Sequence, residues 1–287
     1  THSSGTSAGS EYTTGVVKDD SAYKTTITVA SGVANLYYYC QNHSGMGAEI
    51  RTNTTHGSTN FDGSVLSVTN TNTTAGFSIV TYSGNTDASA TIGHGLLSTP
   101  ELIFIKQRDE SGEWIGFNKI SGATKKLNLS QNLGEATSAL FNNTAPTTTA
   151  PLVFSVKDTS TEDTFGDGHT YVAYCFHSVE GYQKIGSYIG NGDADGAFVH
   201  TGFRPAWILY KNIDASGDWE LLDTVRNPVN NGSLVKLEPN NFNDDSARVM
   251  DILSNGFKFR NSSNSNTADT YLYWAFAEQP FKFANAR

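Results

Sequence analysis

Residues Gly186–Lys211 read GSYIGNGDADGAFVHTGFRPAWILYK, and a version of this stretch already stands about one hundred residues upstream. Tyr82, Gly84, Asn85, Asp87, Ala88 and His94 align with Tyr188, Gly190, Asn191, Asp193, Ala194 and His200 at a constant offset. One residue of slip restores the match, which then pairs Pro100, Ile103, Lys106, Asp109, Ser111, Gly112 and Trp114 with Pro205, Ile208, Lys211, Asp214, Ser216, Gly217 and Trp219. Both copies close on one strand pattern, Thr170, Tyr171 and Phe176 answering Thr270, Tyr271 and Phe276. The unit exceeds the roughly 20–50 residues of solenoid repeats, so each copy is large enough to hold its own core.

Around this duplication the chain divides into residues 1–75, a first copy at 76–180 and a second at 181–287. Strand candidates in copy one are FSIVTY from Phe77, ELIFIK from Glu101, EWIGF from Glu113, PLVFSV from Pro151 and TYVAYCF from Thr170; KIGSYI, AWILYK, WELLD, GFKFR and TYLYWAF answer them in copy two. Short strands punctuated by Gly and Asn predict an all-β protein with two tandem β-sandwich or jelly-roll-like domains. Two stretches, 131–141 and 244–253, are expected as short helices, and TNTNTT at 69–74 as a linker with nothing to bury.

Charge and composition narrow the partners. The 287 residues carry 19 basic and 28 acidic side chains, net −9, without a Lys/Arg cluster to track phosphates. Nucleic acid is therefore not an expected partner. No run reaches the ~18 apolar residues of a membrane helix. Two cysteines, Cys40 and Cys175, do not make a disulfide framework. The chain opens on Thr1, so an upstream segment is expected, and Ala286-Arg287 reads as a natural end.

Four groups of residues invite chemistry. Cys40, His43 and Met46 supply a thiolate, an imidazole and a thioether within seven residues, the ligand types of a blue-copper site. The second His such a site needs has only His2 as an upstream candidate, so copper binding and simple packing both stay open. Asn191, Asp193 and Asp195 place oxygens at alternate positions as a calcium loop does, but position twelve falls on Gly202; a solvated turn is the competing reading. Trp114 and Trp219 could stack on sugars, or could anchor the core from within their strands. The Asn-rich segment 227–245 has no counterpart of the same form in copy one and is expected to be a dispensable contact surface.

The run LYYYCQNHSGMG, followed by GFSIVTYSGN, TYVAYCF, the Gly186–Lys211 stretch and a terminal AFAEQPFKFANAR, resembles virion structural proteins of marine bacteriophages. In these a cupredoxin-like β-domain precedes the duplicated β-module. The resemblance implies a truncated cupredoxin-like segment at 1–75 and a non-enzymatic role in a tail fibre, tail-associated protein or capsid appendage. It implies a homo-oligomer, perhaps a trimer, seated on other virion proteins, exposed on the particle and in reach of a host glycan or protein. A carbohydrate-binding module is the alternative, and a copper carrier a third.

Overall fold

Strand pairing follows the duplication. The computed structural model describes residues 11–22, 24–29, 33–39, 47–50, 52, 57–159, 164–228, 230, 234–241 and 247–281. The first region holds β1 (Val16–Asp19) paired with β2 (Lys24–Ile27), and β3 (Leu36–Tyr39) paired with β4 (Gly47–Ile50). Then come β5 (Ser58–Asn60), β6 (Ser67–Asn72), β7 (Phe77–Ser83), β8 (Ser89–Gly93), β9 (Leu102–Gln107), β10 (Ile115–Asn118), β11 (Lys125–Asn128), β12 (Ala136–Thr137), β13 (Val153–Lys157) and β14 (Thr170–Phe176). Copy two continues with β15 (Gln183–Ile189), β16 (Phe198–His200), β17 (Pro205–Asn212), β18 (Glu220–Asp223), β19 (Leu234–Val235), β20 (Ala247–Arg248), β21 (Met250–Leu253), β22 (Gly256–Phe259) and β23 (Thr270–Ala277).

The main sheet of copy one runs β12-β11-β10-β9-β14-β7-β6-β5, faced by the pair β13-β8. Copy two repeats the central order as β15-β23-β17-β18, faced by β16-β22-β21. Every strand pair is antiparallel, so period-2 alternation sends one set of side chains into each sandwich. From β14, Tyr171, Ala173 and Cys175 point into the first core, beside Ile103, Ile105, Phe117 and Phe154. From β17 and β22, Ile208, Tyr210, Phe257 and Phe259 fill the second.

The alternate residues of the central strands are buried as well. Leu102, Phe104 and Leu127 of copy one meet Ile185, Leu209, Ile213, Trp219 and Leu272 of copy two in a third core between the copies. This accounts for the unbroken apolar runs LIFI and WILY, which a sheet with one wet face would not need. Phe104 meets Trp219 edge to face at 6.0 Å, and Phe176 lies against Trp274 at 4.3 Å. Hydrogen bonds cross the same seam: Trp219 Nε1 donates to Asn128 O (2.9 Å), the Glu135 amide to Ile213 O (2.8 Å) and the Gly217 amide to Asn132 O (2.8 Å). Gly134 lets the chains approach, since a Cβ there would stand 2.9 Å from Ile213 O.

Three expectations are corrected. TNTNTT is not a linker: Ser67–Asn72 is a strand pairing with β7 from Ser67↔Tyr82 to Asn72↔Phe77, because Ser67 and Thr69 have a sheet face to bury against and the alternation outweighs their polarity. Copy one thereby extends back to Ser58 through β5. Neither expected helix forms among the described residues: 131–141 contains β12 and turns, and Met250–Leu253 is a strand paired with β22. Short apolar runs without helical spacing are captured by a neighbouring strand. No helix of the described residues is long and apolar enough to cross a membrane.

Because the seam depends on Trp219, the Trp219→Ala variant is expected to lose about 3–5 kcal/mol of stability. Urea unfolding followed by circular dichroism should show one cooperative transition in the parent chain. Two separated transitions there would mean that the third core does not couple the copies.

Candidate functional site

The Cys40, His43 and Met46 set lies outside the described residues. Among the described residues no group of three His, Cys, Asp or Glu side chains is placed to hold a metal. Cys175 is fully buried, and burial pushes its thiol up to about 12, so it packs as a small apolar group.

The oxygens of the calcium-like loop are already engaged. Asn191 Oδ1 accepts from the Asp193 amide (3.1 Å) and from Asn266 Nδ2 (2.8 Å), and Asp193 Oδ1 accepts from the Asp195 amide (2.8 Å). Asp195 faces Lys258 Nζ (3.0 Å) and Arg260 Nη1 (3.3 Å), and these cations hold its carboxyl below the usual range, Lys258 foremost. Successive Asx turns with two cations beside Asp195 form a surface corner, the geometry of the solvated-turn reading. In copy one Asn85 and Asp87 make the same turn, the Asp87 amide donating to Asn85 Oδ1 at 2.8 Å.

The sugar-stacking assignment of Trp219 is also corrected, for its ring is 1% exposed inside the third core. Trp114 is half-buried and stacks on Tyr174 at 5.8 Å, packed against the same core. Neither ring stands free as a platform. The duplicated histidines diverge: His200 is exposed on β16, whereas His94 is fully buried. The added strand β6 encloses this end of copy one, with Ser67 Oγ donating to Gly93 O (2.8 Å) and Thr71 beside Gly95. His94 Nδ1 accepts from the Leu96 amide (3.1 Å), and burial, helped by the nearby His177, brings its pKa down to about 4.

The described residues of the segment 227–245 are part of the fold. Leu221 and Leu237 exchange both backbone hydrogen bonds at 2.9 Å, as Gly116 of copy one pairs with Leu127. Leu234 is buried in the second core, and the Asn227 side chain binds Asp223 O and both backbone groups of Val235. Removing this segment would take a strand and a core residue with it.

Beneath it lies a buried polar cluster that sequence reading missed. Lys236, 2% exposed, places Nζ 3.3 Å from Glu220 Oε1 and also bonds Glu238. Glu220 Oε2 accepts from the Tyr210 hydroxyl and from Ser265 Oγ (2.9 Å), which stands 3.1 Å from the Tyr210 oxygen. The Glu220–Glu238 juxtaposition follows from the Leu221↔Leu237 pairing, whose alternation points both acids inward with Lys236. The signal was available in the duplication: Tyr210 and Glu220 stand where copy one has Ile105 and Ile115, both in its apolar core. A carboxylate at Glu220, where the sister copy has Ile115, is costly to bury and needs a local reason.

A family model described as a domain of unknown function, DUF7483, matches residues 39–280, from the last residue of β3 to beyond β23. The chain belongs to the DUF7483 family. No curated protein and no solved structure gives a match. The match spans both copies and the third core between them, so the family unit of DUF7483 contains the pair and not the single sandwich.

Within this DUF7483 chain His94 generates a pH dependence. Folded His94 stays neutral down to about 4, whereas the unfolded side chain takes up its proton near 6.5. Stability present above pH 6.5 is therefore lost as the pH falls through that window, with a slope of up to about 1.4 kcal/mol per pH unit. The variant His94→Gln, which retains an acceptor for the Leu96 amide, should flatten the dependence in urea titrations on either side of the window. An unchanged slope in the variant would place the acid sensitivity elsewhere.

Proposed function

We propose that the chain is a non-enzymatic structural module of a bacteriophage virion, exposed as a tail or capsid appendage. The observation that carries this reading is the third core. Two sandwiches share an apolar seam crossed by hydrogen bonds to main-chain carbonyls, which makes a stiff block and leaves loops and turns outermost. The acidic balance and a surface hydrated by amides and hydroxyls suit a particle exterior. Self-association and a seat on other virion proteins belong to the same proposal.

Contact with a host surface would fall on the polar groove at the seam. Ser130, Gln131 and Asn132 of copy one face Asp218, Asn240 and Asn241 of copy two across it, beside the exposed Leu133. Asn240 holds the wall in place, donating to Asp218 Oδ1 (2.7 Å) and accepting from the Trp219 amide (2.7 Å). Amide, hydroxyl and carboxylate groups are the donors and acceptors that a glycan's hydroxyls require.

Cryo-electron microscopy and peptide mapping of virus particles purified from a culture that produces this chain are the test. Density for both sandwiches in a symmetric appendage is the expected result. Particles whose density and peptide content lack the chain, while it sediments free as a monomer, would refute the virion reading.

A further inference from the structure

The buried Glu220–Lys236–Glu238 trio is arranged for a reaction as well as for an ion pair. We propose that Lys236 and Glu220 condense into an intramolecular amide, an autocatalytic cross-link that ties the β19 segment to β18 inside the second sandwich. This inference stands apart from the virion reading, since it concerns only the chain's own atoms.

Each participant is in place within the second sandwich. The nucleophile is Lys236 Nζ, 3.3 Å from Glu220 Oε1 and so held beside the carboxyl it would attack. The electrophile is the Glu220 carboxyl, whose other oxygen, Oε2, accepts from the Tyr210 and Ser265 hydroxyls. Those two donors are fixed where negative charge gathers on the oxygen of a tetrahedral intermediate. Glu238, bonded to the same Nζ, is the proton carrier. Glu220 is the acceptor because the Tyr210 and Ser265 hydroxyls hold its Oε2 and leave Oε1, the oxygen beside the amine, to depart.

The balance closes without any co-reactant. Nζ enters as an ammonium and gives one proton to Glu238, and its lone pair attacks Glu220 Cδ to form the C–N bond. On collapse the Cδ–Oε1 bond breaks. Oε1 leaves as water with two of the three ammonium protons, one of them delivered by Glu238, and the third stays on the amide. One positive and one negative charge vanish together. Reversal would need water in a site where Lys236, Glu220, Tyr210 and Ser265 are all buried. Copy one has Ile105 and Ile115 at the corresponding places and cannot form the bond.

Intact mass spectrometry of the denatured full-length chain tests this directly. The expected mass is that of the sequence less one water. Trypsin should leave Lys236 uncut and release one branched peptide, joining the fragment that ends at Arg226 to the fragment that ends at Arg248. Lys236→Arg should return to its own full sequence mass, and Glu238→Gln should slow the appearance of the linked form after refolding by tenfold or more. A parent chain at its full sequence mass, cut after Lys236, would overturn the proposal, as would a water loss mapped to any other pair. The parent measurement decides the matter even if a variant fails to fold.

Discussion

The rest of the structure depends on the burial of two sheet faces against each other. A β-sandwich ordinarily leaves the outer face of each sheet in water, and its strands then alternate apolar with polar. Here the outer faces of β9 and β17 carry Leu102, Phe104, Leu209 and, at the end of the run, Ile213, all buried. Exposed, each would forfeit roughly 1.5–3 kcal/mol of transfer free energy. Joined, they form a third core, smaller than those inside the sandwiches. The family unit spanning both copies is a natural consequence, because a single copy would present this face to solvent.

The seam also explains where the duplicated sequence departs from itself. Trp114 and Trp219 occupy equivalent places, but only Trp219 reaches across to donate to Asn128 O, while Trp114 stays half-buried on Tyr174. Lys211 is sealed at the seam, with Nζ donating to Asn212 O (2.7 Å) and Asn132 O (3.4 Å), and burial brings its pKa down to about 8. Its equivalent Lys106 binds carbonyls of its own copy, Gln107 O and Glu110 O. Identical residues acquire different duties because the two faces meeting at a seam are not identical.

Away from the seam, each copy resolves its remaining polar groups differently. Copy one borrows β5 and β6 from the preceding region and encloses His94 in doing so. Copy two brings β19 over its core and with it the Lys236 trio. In both, a tyrosine hydroxyl ties a loop to the sandwich in the same way, Tyr82 to Thr164 O (2.8 Å) and Tyr188 to Ser265 O (2.9 Å). The equivalent bond belongs to the framework that both copies share; the trio is particular to copy two. Its Ser265 is also the loop residue that this tyrosine holds, so the added chemistry rests on the inherited anchor.

Alternation of apolar residues and the spaced Gly and Asn turns made the all-β class legible in the sequence, because it is written in local periodicity. The strand runs of ELIFIK, AWILYK and TYVAYCF fall where that periodicity puts them. What only the tertiary structure decided is which face met which partner. TNTNTT became a strand because β7 offered it an edge, Trp219 became core because a second sheet covered it, and the Asp195 carboxylate was engaged by Lys258 of β22 and by Arg260. Glu220 and Lys236 became a pair only when β18 and the β19 segment aligned. Such contacts join residues far apart in the chain, and no local pattern encodes them.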